Sequence, residues 1–167
     1  VNPLPTVAAI TGSPDVCVGS TTVLASSTTG GVWSTSDATV ADVSASGVVT
    51  GVSTGSATIT YTVTDGNGCT NSTSASVTVN ATPTATVTAS GATTFCAGGT
   101  VDLTANAGTS YLWSNGAQTQ TITVTTSGSY SVTVTNGSGC STTSSAQSVT
   151  VNPLPTVAAI TGSPDVC

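Results

Sequence analysis

The sequence has no lysine, arginine or histidine, no methionine and no glutamate, and its only charged side chains are six aspartates. These absences remove most catalytic chemistry, because no imidazole base, Schiff-base amine, guanidinium clamp or paired Glu and Asp can be assembled. A serine nucleophile would find no base within the chain, so the protein is not expected to be an enzyme. With a formal net charge of −6 and no cation, it cannot neutralise a phosphate backbone, which excludes nucleic acid as a partner. Anionic membrane surfaces are excluded on the same ground. No run approaches the ~20 consecutive apolar residues of a membrane-spanning helix, so no membrane insertion is expected in this segment. The first residues lack the basic start and apolar core of a signal peptide, which places any targeting signal outside this stretch. Charge is scarce at 4% of residues, hydrophobic residues reach 37% and mean hydropathy is +0.32. Such a chain is expected to fold rather than remain an acidic coil.

What fills the sequence is 38 Thr and 25 Ser, with 23 Val and 18 Gly. β-Branched Thr and Val favour strands, and Gly, Ser, Asn and Pro clusters punctuate them. Residues 1–17 (VNPLPTVAAITGSPDVC) recur letter for letter at 151–167, a period of 150 residues. The chain therefore reads as one full repeat and the opening of the next, a window on a tandem array. A weaker repeat lies inside the period. Cys17-Val-Gly19 through Leu24 aligns with Cys96-Ala-Gly98 through Leu103, a Trp follows each (Trp33, Trp113), and each half closes with Thr-Val-Thr-Asx-Gly-x-Gly-Cys, at Cys69 and at Cys140. The expected modules are 1–80 and 81–152, with 153–167, identical to 3–17, opening the next repeat.

Strict alternation in Ala57–Thr64 puts Ile59, Tyr61 and Val63 on one face and threonines on the other, the period of a half-buried strand. Ser129–Thr135, Thr121–Thr125, Ser74–Val79 and Ser145–Val151 repeat the pattern, and no apolar 3.6-residue stripe persists. The predicted class is all-β, two tandem antiparallel sandwiches per repeat plus the first strand of the next, since no helical crossover is present to support a parallel sheet. Each module carries two cysteines, which predicts the disulfides Cys17–Cys69 and Cys96–Cys140, with Cys167 pairing in the next repeat. Each would contribute about 4 kcal/mol in the chain-entropy model. Dispersed cysteines without histidine do not make a zinc site. Disulfides in turn imply an oxidising, extracellular setting.

Gly31-Val-Trp33-Ser-Thr-Ser-Asp37, Val40-Ala-Asp-Val43 and Gly47-Val-Val-Thr-Gly51 through Ile59 resemble the group 2 bacterial immunoglobulin-like domain of surface adhesins. Tyr111-Leu-Trp113-Ser-Asn-Gly116 and Gly128-Ser-Tyr130 through Val134 are similar to PKD-like or Ig-like repeats of giant Bacteroidota surface proteins. The resemblance implies secreted Ig-like sandwiches serving as adhesins, gliding filaments or prey-contacting fibres. It departs from the antibody pattern in its cysteines, which are expected at one end of the sandwich rather than beneath the Trp.

Trp33, Tyr61, Trp113 and Tyr130 are assigned to the cores rather than to a sugar-stacking platform, because each module has little else of that size. Asp65 and Asn67 in the Asp-Gly-Asn-Gly run carry oxygens of the kind Ca²⁺ takes, but such a run is first a tight turn and one carboxylate makes a weak site. Asp15, Asp37, Asp42 and Asp102 are weaker still. No metal and no cofactor are therefore assigned. Threonine rows such as Thr60, Thr62 and Thr64 suit the solvent face of a twisted strand, not a flat ice-binding ladder. Asn71, Asn80 and Asn136 head N-glycosylation sequons, matches that so Ser/Thr-rich a composition produces by itself.

The connectors around Pro3 and Pro5, Pro83, and Pro153 and Pro155 are short and stiffened by proline. Edge strands carry no lysine to block pairing, so lateral self-association is expected alongside contact between adjacent repeats of one chain. The leading expectation is a structural tandem-repeat unit of an extracellular bacterial filament or adhesin stalk. Two alternatives stand beside it: a glycan- or calcium-binding adhesin module, and a pilus-like subunit that exchanges its duplicated strand with a neighbour.

Overall fold

The computed structural model describes residues 2–158. The remainder of the repeated segment 153–167, with Cys167, lies outside them. Every regular element among the described residues is a strand, as the Thr/Val alternation and the missing helical stripe require. Cα proximity divides the chain into two units. The first comprises Val1–Pro83 and Asn136–Ser141, the second Thr84–Thr135 and Thr142–Cys167.

The first unit packs two sheets face to face. One contains β1 (Asp15–Cys17), β7 (Thr70–Asn80), β6 (Gly55–Thr64) and β3 (Val32–Thr35) in that spatial order, and the other β2 (Thr21–Val23), β5 (Val48–Gly51) and β4 (Ala41–Val43) in the order β2-β5-β4. Ala57, Ile59, Tyr61 and Val63 of β6 are buried while Thr58 is exposed, the period-two pattern of a sheet with one dry face. Ile59, Val77 and Val79 from the first sheet meet Ala41 and Val49 from the second, with Val16 and Leu24 completing the core. The β6–β7 hairpin runs through ten paired positions, from Gly55 opposite Val79 to Thr64 opposite Thr70. The turn between β4 and β5 requires glycine: Gly47 has φ +80°, and a Cβ there would lie 2.3 Å from the Leu24 carbonyl oxygen.

In the second unit β12 (Thr121–Val124), β10 (Val101–Ala105) and β8 (Val87–Ala89) form one sheet. Two ladders, β11 (Ser110–Trp113) with β14 (Val132–Thr135) and β15 (Ser141–Thr143), and β13 (Gly128–Tyr130) with β16 (Gln147–Asn152) and β9 (Thr94–Cys96), supply the opposing residues. Leu103, Trp113, Val132, Val134 and Val149 form the centre of its core.

Three features differ from the sequence expectation. The run Ser129–Thr135 is broken at Ser131 into β13 and β14, where the buried Ser144 hydroxyl accepts the Val132 N–H and displaces the regular ladder. β7 begins at Thr70, before the apolar alternation does. The sheets also include two parallel pairs, β1 with β7 and β9 with β16. Parallel neighbours need a long connection rather than a helix as such, and here the rest of the module supplies it.

Candidate functional site at the cysteine-bearing strand ends

β1 is three residues long, lies at the edge of its sheet and pairs with β7 alone. Val16 inserts into the core beside Val79, while Cys17 stands level with Asn80, the last residue of β7. The Asn80 carbonyl accepts the Val18 N–H at 3.0 Å, and Gly19, at φ +79°, turns the chain away. Against this strand end lies the turn Asn136–Ser141. Its Asn136 side chain donates from Nδ2 to the Ala81 carbonyl at 2.8 Å, and Cys140, almost wholly buried, is bonded to Cys17 with the Cα atoms 5.7 Å apart.

This bond corrects the expected pairs Cys17–Cys69 and Cys96–Cys140. The reason is strand length. Cys69 precedes β7 and Cys17 is level with its far end, so about 11 extended residues, roughly 35 Å at ~3.3 Å each, separate them. A disulfide needs Cα atoms within about 7 Å. Cys96 stands level with Asn152 at the end of β16, and Cys140, its expected partner, is the residue bonded to Cys17. Cys69, half-buried, and Cys96, exposed, carry free thiols.

The carboxylates are spent locally. Asp65 Oδ1 accepts the N–H groups of Asn67 and Cys69, both at 2.9 Å, and so builds its own turn. Asp102 accepts the Thr123 hydroxyl at 2.7 Å, Asp42 the N–H of Val43, and Asp15 a long contact from Asn80. Asp37 accepts both the hydroxyl of Thr39 at 2.6 Å and its N–H at 2.9 Å. The hydroxyl, then the N–H, hold the Asp37 carboxyl below its ordinary value. Among the described residues, no three His, Cys, Asp or Glu side chains gather as a metal cluster would.

Trp113, Tyr61 and Tyr130 are buried, and the Trp113 indole N–H donates to the Thr119 carbonyl at 2.8 Å. Trp33 is only half-buried. Its ring lies against Tyr61, centroids 4.6 Å apart, and flanks a pocket of about 190 Å³ that Leu24 and Ser46 also line. Outward threonines pair across strands, Thr104 with Thr121 at 3.0 Å and Thr133 with Thr143 at 2.8 Å. Asn71 and Asn136, marked in the sequence only as sequons, each hold a connector: Asn71 Nδ2 donates to the Pro5 carbonyl and Asn136 Nδ2 to the Ala81 carbonyl. The matching Asx-Gly-x-Gly-Cys runs were the signal available for the latter.

Residues 15–74 match the bacterial Ig-like domain (group 2). The matched segment runs from β1 to the first residues of β7 and includes β2 to β6. Comparison with curated proteins finds no match in sequence. Among solved structures the chain is similar to murine CEACAM1b, at 14% identity over 85% of this chain and 99% of that one, TM-score 0.40. It is also similar to the S-layer protein rSbsC(31-844), at 18% identity over 87% of this chain and 27% of that one, TM-score 0.37. Domains 3–5 of the Drosophila OTK extracellular region are similar at 15% identity over 89% of this chain and 63% of that one, TM-score 0.41.

Proposed function

We propose that the chain is a structural repeat of an extracellular bacterial filament or adhesin stalk, each 150-residue period comprising two Ig-like modules, 1–80 and 81–152, with 153–167 opening the next. The observation that carries this reading is the identity of residues 1–17 with 151–167. An exact copy of an Ig-like module's opening, one period after the first, is what a tandem array contains.

The construction of the first unit supports it. Pro5 is fixed to Asn71 near the start of β7, and Cys17 stands level with Asn80 at its end. The chain thus enters this unit at one end of β7 and leaves at the other, as head-to-tail repetition needs. Because β1 and β7 are parallel, tension between those ends shears their ladder and loads its hydrogen bonds together rather than singly. Stability of this kind does not depend on a bound ion or ligand. Without Lys or Arg, the chain offers no site for trypsin-like cleavage, which suits exposure outside the cell. Its lysine-free edge strands favour lateral association of neighbouring chains.

The test is immunogold labelling of intact, unpermeabilised cells with an antibody raised against residues 1–152. The stalk reading predicts gold in rows along surface fibres. Gold confined to the cytoplasm of sectioned cells contradicts it.

A further inference from the structure

Cys17–Cys140 joins two structural parts, a strand end and a turn, and the chain contains a second copy of each. The strand ends match. Cys17 is level with Asn80 in a parallel pair and Cys96 with Asn152; the following N–H, of Val18 or Ala97, donates to that Asn carbonyl at 3.0 or 2.8 Å. Ser20 and Gly99 N–H groups then return to the Cys17 and Cys96 carbonyls, through Gly19 at φ +79° and Gly98 at φ +95°.

The turns match as closely. Asp65 N–H donates to the Cys69 carbonyl at 3.0 Å, and Asn136 N–H to the Cys140 carbonyl at 2.9 Å. The Asp65 carboxylate accepts the Cys69 N–H at 2.9 Å, and the Asn136 side-chain oxygen accepts the Cys140 N–H at 3.0 Å. Gly68 and Gly139 close them at φ +81° and +79°. One strand end and one turn are bonded to each other; the strand end of Cys96 and the turn of Cys69 retain thiols. Those two cannot meet within one repeat by the same rule. In the bonded pair the turn lies C-terminal to its strand end, whereas Cys69 precedes Cys96.

We infer that Cys96 of each repeat forms a disulfide with Cys69 of the following repeat. This inference rests on the tandem-array reading. The bond forms by thiol–disulfide exchange with a small-molecule disulfide such as oxidised glutathione. The thiolate of one cysteine attacks it and expels one thiol, then the second thiolate attacks the mixed disulfide and expels the other. The two cysteines are oxidised, the external disulfide is reduced, and the two protons leave on the two thiols released.

The consequence is mechanical. Cys17–Cys140 bonds alone leave residues 141–166 of every period outside any covalent loop. Loops from Cys96 to the next Cys69 span that interval and overlap their neighbours, so every backbone position between the first and last bonded cysteines of the array lies inside at least one loop. A single backbone break then leaves the fibre covalently continuous.

The experiment compares the 167-residue chain with the intact array, both oxidised with glutathione disulfide, alkylated under denaturing conditions and cut with pepsin in acid for mass spectrometry. In the 167-residue chain, Cys69 and Cys96 should both be alkylated. In the array alkylation should remain only at Cys69 of the first repeat and Cys96 of the last, and a Cys69–Cys96 linked peptide should appear; Cys69→Ser in the array should restore alkylation at Cys96. Brief proteolysis should shorten the reduced array but not the unreduced one. Full alkylation of both cysteines throughout the array overturns the inference, and so does a Cys69–Cys96 link within a monomeric 167-residue chain. A ladder of array multimers on a non-reducing gel assigns the bond between chains and overturns it as well. The reduced length of the native polypeptide is read separately: a single-repeat length refutes the array reading itself, whatever the pairing.

Discussion

Tyr61 carries two tasks in one side chain. Its ring is buried against Trp33, and its hydroxyl accepts the Gly31 N–H at 2.8 Å while donating to the Thr28 carbonyl at 2.9 Å. Tyr61→Phe keeps the ring and strands two backbone groups, so it should destabilise the first unit by about 1–3 kcal/mol in urea unfolding. Trp33 and Tyr61 both follow an alternating pattern, which made them legible as core. The half-exposure of Trp33 was not legible. Its ring lies over Gly47, where a Cβ would come within 3.1 Å of it, and that neighbour is set by the fold of a distant turn. Asp37 gives the residue-scale pH prediction. Its folded value is depressed, so its stabilising contribution is complete above the unfolded carboxyl's value of about 3.9 and is lost as pH falls through the lower folded value. Thr39→Val removes the hydroxyl donor, the larger cause, and should move the Asp37 NMR titration midpoint upward; an unchanged midpoint would contradict this assignment.

At the scale of elements, legibility followed apolar alternation. β6 could be read because Ala57, Ile59, Tyr61 and Val63 alternate with hydroxylated residues. The start of β7, Thr70–Thr73, is only Thr, Asn and Ser, so no apolar face announces a strand there. That unread start decided the cysteine pairing, because it extends β7 to 11 residues and sets Cys69 far from Cys17. β1 was equally hard to read: three residues carry no periodicity, and its parallel partner lies a whole module away. Yet β1 is the element that the disulfide secures. Cys17→Ser opens a loop with a sequence separation of 123 residues, which should cost about 2–5 kcal/mol. It should also expose the Cys140 thiol to alkylation. Thermal unfolding with and without reductant measures the first effect: reduction should lower the midpoint of the wild type and leave Cys17→Ser unmoved.

For the whole molecule, the repeat was the most legible feature, because identity over 17 residues needs no structural inference. Which cysteines pair was not legible, since spacing along the sequence says nothing about which strand ends and turns face each other. Composition narrowed what the side chains can contribute. A chain without Lys, Arg or His carries no side-chain cation to pair with its six aspartates, and packing, backbone ladders and a disulfide hold it together. The account stands or falls on the array. Its most direct measurement is the mass of one fully reduced, denatured polypeptide from the native source, by SDS gel and mass spectrometry. The tandem stalk predicts a chain many times larger than 15.9 kDa. A chain near 15.9 kDa would contradict it and make the duplicated end a joint between separate subunits.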